Sequence, residues 1–168
     1  MDKTSLTITV IQGSLLDAEA EVIVNAANSQ GVMGGGVAGV IKQAAGQEVE
    51  AEARKQAPIP VGSAVLTSGG KTKFRGIIHA PTMPAPAMRI PAQNVALATK
   101  AALTLADEKN FESVALPGMG TGVGGVAHAE AARHMVSEIR AFPARSLRTV
   151  LLVDVDEHMV KAWREALG

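Results

Sequence analysis

The stretch Asn25-Ala26-Ala27-Asn28, followed after five residues by Gly34-Gly35-Gly36-Val37, indicates how this chain folds. Directly before it, Val22-Ile23-Val24 is a short apolar run typical of a strand that is buried on both faces. After it, the apolar residues have helical spacing as far as Gly46, a residue type that commonly ends a helix. A strand, a glycine loop and a helix in this order predict one βα unit of a parallel sheet.

A second glycine-rich stretch, Pro117-Gly118-Met119-Gly120-Thr121-Gly122-Val123-Gly124-Gly125, has the same surroundings. It follows the apolar run Val114-Ala115-Leu116 and precedes a helical pattern. In open α/β sheets ligands bind where the strands end, and glycines let main-chain N–H groups approach a ligand closely. Neither stretch contains Lys or Arg, so if these loops hold phosphate we expect main-chain amides to hold it, with little effect of salt. Tight turns that serve packing alone are the alternative for each stretch.

Strands and helices alternate along the rest of the chain, which predicts an α/β sandwich with a mostly parallel central sheet. No linker or change of composition divides the chain, so we expect a single domain over residues 1–168. Residues 15–21 are expected to form a helical turn. The predicted strands are 6–11, 22–24, 63–67, 76–80, 114–116 and 147–155, and the predicted helices are 37–45, 48–57, 93–108, 127–141 and 156–167, the last capped by Asp156.

The composition excludes several classes of function. The 16 basic and 16 acidic side chains cancel, so no overall field attracts nucleic acid or an anionic membrane. The chain has no cysteine, which excludes disulfides, thiolate metal sites and a thiol nucleophile. No two histidines have the spacing of a zinc site, and we expect neither a metal nor a cofactor. The uncharged stretch 22–41 is too rich in Asn and Gly for a membrane span, and because no apolar stretch follows Met-Asp-Lys at the start we expect no secretory signal. We therefore expect a cytoplasmic protein, with a monomer favoured.

Two nucleotide-binding motifs fit the chain poorly. Gly69-Gly70-Lys71-Thr72 looks like the end of a P-loop, but Val65 occupies the position of the first glycine and a strand follows where a helix is required. The pattern G-x-G-x-x-G occurs twice, beginning at Gly34 and at Gly120. Neither copy has the acidic residue at a strand end about 20 residues on that a Rossmann site needs. An NAD-dependent oxidoreductase on a Rossmann sheet is therefore the less favoured alternative.

Together, the two glycine stretches, Gly13-Ser14-Leu15 after the first strand and His79 after Ile77-Ile78 resemble a macro domain, the ADP-ribose-binding α/β/α module. The resemblance covers essentially the whole chain, and the spacing between Asn-Ala-Ala-Asn and Gly-Gly-Gly-Val is its most specific feature. It implies a three-layer α/β/α sandwich with a mixed, mostly parallel central sheet. The partners that it implies are free ADP-ribose or mono-ADP-ribosylated protein.

The resemblance also implies which residues contact the ligand. The two glycine stretches would wrap the diphosphate and the distal ribose, Asn28 would hydrogen-bond that ribose, and Asn25 would brace the loop. His79, at the end of its predicted strand, is expected to be structural rather than a catalytic base. The ligand-binding residues implied are Ser14, Leu15, Asn25, Asn28, Gly34, Gly35, Gly36, Val37, Gly120, Thr121, Gly122, Val123, Gly124, Gly125, Val155 and Asp156.

At the adenine end the chain departs from the family pattern. Macro domains usually have Asp where this chain has Ser14, and many have aromatic residues where it has Val155 and Gly124. Ser14 replaces a charge-assisted hydrogen bond by a neutral one. Compensation from Asp154, Asp156 or a stacking Leu15 is possible, but we expect weaker selection for adenine than is usual in the family.

The first glycine stretch also bears on activity. One hydrolase branch of the family has an acid directly after Gly-Gly-Gly-Val and a histidine four residues later, where this chain has Ala38 and Lys42. Another branch has Gly-Gly-Gly-Val-Ala-Gly, as residues 34–39 do here, and still resembles hydrolases. The resemblance therefore implies slow hydrolysis of mono-ADP-ribosyl esters or of O-acetyl-ADP-ribose, with Asn28 as the residue that orients the ribose. A non-catalytic module that only reads ADP-ribose is the alternative.

Overall fold

Six strands and five α-helices make up the computed structural model, which describes residues 5–168. A short 3₁₀ helix, Leu15–Asp17, lies between the first two strands. The strands are β1 (Thr7–Gln12), β2 (Val22–Asn28), β3 (Val65–Thr67), β4 (Gly76–Met83), β5 (Ser113–Leu116) and β6 (Thr149–Asp154). The helices are α1 (Gly36–Ala45), α2 (Gln47–Lys55), α3 (Gln93–Glu108), α4 (His128–Ala141) and α5 (Glu157–Leu167).

The strands form one sheet in the order β1-β6-β5-β2-β4-β3. Parallel pairs join β1 to β6, β6 to β5, β5 to β2 and β2 to β4, whereas β3 is antiparallel to β4. The prediction of a mixed, mostly parallel sheet is confirmed. A Rossmann sheet has the order 3-2-1-4-5-6. The alternative that placed an NAD-dependent oxidoreductase on such a sheet is therefore wrong about the fold.

Helices cover both faces of the sheet and make the three predicted layers. In β2 the side chains of Val22 and Val24 pack on one face, in a cluster with α3, α4 and α5, where Trp163 is fully buried. Between them, Ile23 points to the other face and joins a smaller cluster with α1 and α2. This alternation explains why the run reads as continuously apolar, since successive strand residues face opposite helical layers.

Most predicted elements lie within a few residues of their predicted ends, and three differ in a way that matters for the site. Strand β2 continues to Asn28 because residues 25–27 still pair with β4, so the Asn-Ala-Ala-Asn motif is strand rather than loop. For the same reason β4 continues to Met83, and His79 lies in the middle of this strand instead of at its end. The expected helical turn over residues 15–21 is only the 3₁₀ helix 15–17.

The Gly69-Gly70-Lys71-Thr72 stretch belongs to the connection between antiparallel strands β3 and β4, which confirms that it is not a P-loop. Asp156 caps α5 as predicted, because its carboxylate accepts a hydrogen bond from the N–H of His158 at 2.9 Å. Within residues 5–168, no helix is long and apolar enough to cross a membrane.

The parallel strands β1, β6, β5, β2 and β4 all end at the same edge of the sheet. Both glycine stretches begin at this edge, one after β2 and one after β5. The segment that follows β1 is fixed beside the end of β6 by a hydrogen bond of 3.0 Å from Gly13 N to Asp154 O. Asn25 lies within β2. Every other predicted site residue lies at the end of one of these strands or in the segment that follows it.

Candidate functional site

Three loops at this edge shape the candidate site. The first glycine loop (residues 29–35) connects β2 to α1, and the second glycine loop (residues 117–127) connects β5 to α4. The 84–92 loop connects β4 to α3. In the order of the strands, Ser14 and Val155 lie at one end of the edge, the two glycine loops in the middle and the 84–92 loop at the other end.

The first glycine loop is held in shape by the side chain of Asn28. Its Nδ2 donates to Val32 O at 2.8 Å, and its Oδ1 accepts from the N–H groups of Gln30 at 3.1 Å and Val32 at 3.3 Å. At the far end of the loop, the Glu50 carboxylate accepts a hydrogen bond from Met33 N at 2.7 Å. The loop is therefore braced at both ends before any ligand arrives.

Some glycines in these loops are not required by the fold. A Cβ added to Gly34, Gly35 or Gly122 would meet no atom within 4 Å, and none of the three has a positive φ. A side chain at these positions would therefore neither clash nor strain the backbone. Because these three residues have no side chain, there is open space beside their main chain. It lies at the edge of the sheet where ligands bind in such folds.

Other glycines of the second loop are required by the fold. Gly120 has a φ of +77°, and a Cβ there would lie 2.8 Å from Cγ2 of Val95. A Cβ on Gly124 would lie 2.6 Å from the carbonyl oxygen of Gly120. The aromatic residue that many macro domains have at this position cannot be accommodated here unless the loop changes its course.

Asn25 and His79 form a pair of polar side chains inside the sheet. The two residues are neighbours across β2 and β4, and Asn25 Nδ2 lies 3.1 Å from His79 Nδ1. The side chain of Asn25 is buried, and among the hydrogen bonds of residues 5–168 it makes none to the first glycine loop. The hydrogen bonds that brace the first glycine loop come from Asn28, and the role expected for Asn25 stays a prediction.

His79 is a structural residue, as expected. Its second ring nitrogen lies 2.9 Å from Oγ1 of Thr67, and the residue is completely buried. Burial lowers the pKa of His79 to about 4, so the imidazole is neutral at physiological pH. With both ring nitrogens in hydrogen bonds and the side chain completely buried, His79 is not in a position to act as a general base.

The two residues that replace the acid and the histidine of one hydrolase branch have structural contacts. Ala38 is buried in the smaller core cluster. Lys42 Nζ forms an ion pair of 2.9 Å with Glu50 Oε1 and so supports the same carboxylate that binds Met33. The Met33 N–H and then Lys42 lower the pKa of Glu50 below its ordinary value. This carboxylate is a structural anchor.

At the end of the edge formed by β1 and β6, the side chains that could compensate for Ser14 are already engaged. Oδ2 of Asp154 accepts from Gly118 N and its Oδ1 from Asp156 N, both at 2.9 Å. Asp156 caps α5, and its second oxygen lies 2.8 Å from His128 Nε2. Leu15 is buried in the smaller cluster, while Val155 is 70% exposed.

Ser14 itself has a local structural task. Its hydroxyl oxygen accepts a hydrogen bond of 3.2 Å from Leu16 N and caps the 3₁₀ helix. The hydroxyl hydrogen remains available to a ligand.

Sequence reasoning missed two features of the edge. The histidines of two separate helices, His128 and His158, meet at Asp156, with their ring centroids 6.0 Å apart. The hydrogen bond from His158 N and then His128 lower the pKa of Asp156. The second feature is Arg89 in the 84–92 loop, whose guanidinium lies against the second glycine loop at Gly125. Both depend on the return of distant segments to one edge, for which the local sequence has no signal.

This chain is similar to a known protein family, to curated proteins and to solved structures. The family model named Macro domain matches residues 24–135, which include both glycine loops. The chain belongs to the macro domain family. A protein of Aquifex aeolicus is 59% identical to this macro domain over 163 residues, covering 97% of this chain and 99% of its own.

Two other relatives have informative names. The O-acetyl-ADP-ribose deacetylase of Klebsiella pneumoniae is 38% identical over 167 residues, with 95% of each chain covered. The Trypanosoma brucei macrodomain, solved in complex with ADP-ribose, superposes with a TM-score of 0.86 at 26% identity, covering 96% of this chain and 69% of its own. The three-layer fold expected from the resemblance is therefore the fold of this family.

Proposed function

We propose that this macro domain binds ADP-ribose along the edge where β1, β6, β5 and β2 end. The diphosphate would lie on the main-chain amides of the two glycine loops, with adenine towards Ser14 and Val155 and the distal ribose towards Asn28. The observation that carries the proposal is the open space at Gly34, Gly35 and Gly122, where the fold itself does not require glycine. The Trypanosoma brucei relative in complex with ADP-ribose supports the same ligand.

The electrostatics of the two loops suit a diphosphate held by amides. The loops contain no Lys or Arg, so the negative charge would be met by main-chain N–H groups, as in other anion-binding loops. Because the first glycine loop is already braced by Asn28 and Glu50, little ordering is needed on binding. We expect micromolar affinity, a binding free energy of roughly 8 kcal/mol at 1 M standard state.

Slow hydrolysis of mono-ADP-ribosyl esters or of O-acetyl-ADP-ribose is the second part of the proposal. The relative named O-acetyl-ADP-ribose deacetylase supports it. Asn28 would orient the distal ribose with the one Nδ2 hydrogen that its bond to Val32 leaves available. Ala38 and Lys42 stand where one hydrolase branch has its acid and its histidine. The Glu50 carboxylate beside the first glycine loop is already bound to Lys42 and to the N–H of Met33. Catalysis would then rest on orientation, and turnover would be slow.

One pair of measurements tests both parts. Calorimetric titration with ADP-ribose, ADP, AMP and NAD measures binding, and a time course on mono-ADP-ribosylated protein and on O-acetyl-ADP-ribose measures turnover. Binding of ADP-ribose at micromolar affinity with slow release of product is the expected result. Binding without turnover over hours would leave the reader function, and absence of binding would refute both parts.

A further inference from the structure

The 84–92 loop lies at the end of the edge that is farthest from Ser14 and Val155. Strand β4 follows β2 in the sheet, whereas β1 and β6 are on the other side of the glycine loops. A hydrogen bond of 3.0 Å from Ile90 N to Gly124 O fixes this loop to the second glycine loop. With adenine at the β1 and β6 end, as in the proposed function on which this inference rests, a group attached to the distal ribose leaves the site beside the 84–92 loop.

Arg89 places a positive charge at this exit. A Cβ on Gly125 would lie 2.7 Å from Nη1 of Arg89 and 3.6 Å from its Cγ, so the side chain lies across the face of this glycine. Gly125 therefore provides the surface on which the arginine rests. Both the guanidinium and the aliphatic stem of Arg89 lie against the second glycine loop, although the residue as a whole is exposed.

No acidic side chain of residues 5–168 neutralises this charge. Arg89 takes part in none of the five salt bridges found among these residues, and no side-chain hydrogen bond of the same part of the chain includes it. By contrast, Lys42, Lys73 and Arg75 all pair with glutamates. Two apolar side chains on the joined loops are exposed as well, Met88 at 40% and Val123 at 61%. An unpaired guanidinium next to exposed aliphatic groups suits a peptide with an acidic residue.

We propose that Arg89 recognises a carboxylate next to the modified residue of an ADP-ribosylated polypeptide. The site then favours ADP-ribose attached within acidic segments over ADP-ribose attached within neutral ones. A bidentate contact from guanidinium to carboxylate is the geometry that arginine prefers. Because the residue is exposed, the preference is moderate and decreases as salt is added.

The test compares three probes in binding experiments. They are free ADP-ribose, a peptide that carries ADP-ribose through a non-hydrolysable linkage between two glutamates, and the same peptide with glutamines instead. Arg89→Gln is expected to weaken binding of the acidic peptide about fivefold and to leave the other two unchanged. Arg89→Glu is expected to reverse the order of the two peptides. Arg164→Gln, which removes an exposed arginine from α5, is the matched control and should change none of the three.

Each other outcome overturns the inference in a recognisable way. An equal loss for all three probes in Arg89→Gln would mean that the guanidinium contacts the phosphates of the ligand itself. No loss for any probe would mean that it contacts nothing in the complex. A wild-type protein that fails to bind free ADP-ribose would refute the proposed function first, and this result is read before any variant is made.

Discussion

The carboxylate of Glu50 on α2 accepts a hydrogen bond from the main-chain N–H of Met33, 17 positions earlier, at 2.7 Å. Met33 is buried and directly precedes Gly34. This one contact therefore sets where the main chain of Gly34 and Gly35 lies at the edge of the sheet. Lys42 holds the same carboxylate from α1 at 2.9 Å. Two helices on one face of the sheet therefore set the shape of a loop at its edge.

Glu50→Gln should destabilise the protein and weaken ADP-ribose binding. The amide keeps the size of the side chain but loses the charge, and hydrogen bonds to charged groups contribute about 1.5–3 kcal/mol. The Met33 N–H and Lys42 hold the pKa of Glu50 below its ordinary value. The charge of Glu50 therefore stabilises the fold fully at pH values above the ordinary pKa of a glutamate. This contribution is lost as the pH falls through the lowered pKa of Glu50. Chemical denaturation of wild type and variant at several pH values should show the difference in stability shrinking towards acid. A difference that does not depend on pH would contradict this role of the charge.

Gly122→Glu should abolish ADP-ribose binding without unfolding the protein. The new side chain meets no atom of the protein within 4 Å, but it fills the space proposed for the diphosphate and repels it. Gly122→Gln is the matched control, since it fills the same space without the charge and should weaken binding less. Calorimetry gives the affinities and thermal unfolding gives the stabilities. A folded Gly122→Glu protein that binds like wild type would show that the second glycine loop is not the phosphate site.

Asn28→Ala should lower turnover far more than His79→Ala. The asparagine makes three hydrogen bonds to its own loop and has one donor left for the ribose. His79 is buried between Asn25 and Thr67, away from the edge, so its loss should reduce stability instead. The measurements are turnover of a mono-ADP-ribosylated protein and the melting temperature of each variant. Equal loss of turnover at matched stability would show that His79 has a part in the chemistry.

Ser14→Asp should tighten ADP-ribose binding and leave binding of the inosine analogue unchanged. Aspartate caps a helix as well as serine does, so the contact with Leu16 is preserved. Its carboxylate adds a charge-assisted acceptor for the adenine amino group, worth about 1 kcal/mol more than a neutral one. Ser14→Asn keeps the cap without the charge and is the control. For the wild type we expect inosine diphosphate ribose to bind less than about tenfold more weakly than ADP-ribose. A larger loss would show that the pocket already selects adenine.

The position of the site could be predicted from the sequence because it depends on local pattern. A short apolar run followed by glycines and then by helical spacing defines a strand end, and parallel strand ends share one edge. This reasoning placed both glycine loops and the cap at Asp156 correctly. It also identified the mixed sheet together with the family resemblance.

The roles of individual polar residues could not be predicted in the same way. Asn25 and Asn28 occupy equivalent places in the motif, but β2 runs through both of them, and pairing with β4 sets Asn25 beside His79. Arg89 lies in a segment without periodicity, and the hydrogen bond from Ile90 to Gly124 joins this segment to the second glycine loop. Such contacts depend on strand register and on tertiary contacts between distant segments, which the local sequence does not determine.

The carboxylate of Asp154 binds the main chain of two separate segments, at Gly118 in the second glycine loop and at Asp156 before α5. Under the proposed orientation, these segments border the diphosphate and the adenine. Because one carboxylate binds both segments, we expect the protein to set the spacing between the two halves of the ligand before binding. Such a site selects the ligand by the length of its diphosphate. Analogues in which the diphosphate is lengthened or shortened by one atom should then be rejected even when each half is unchanged.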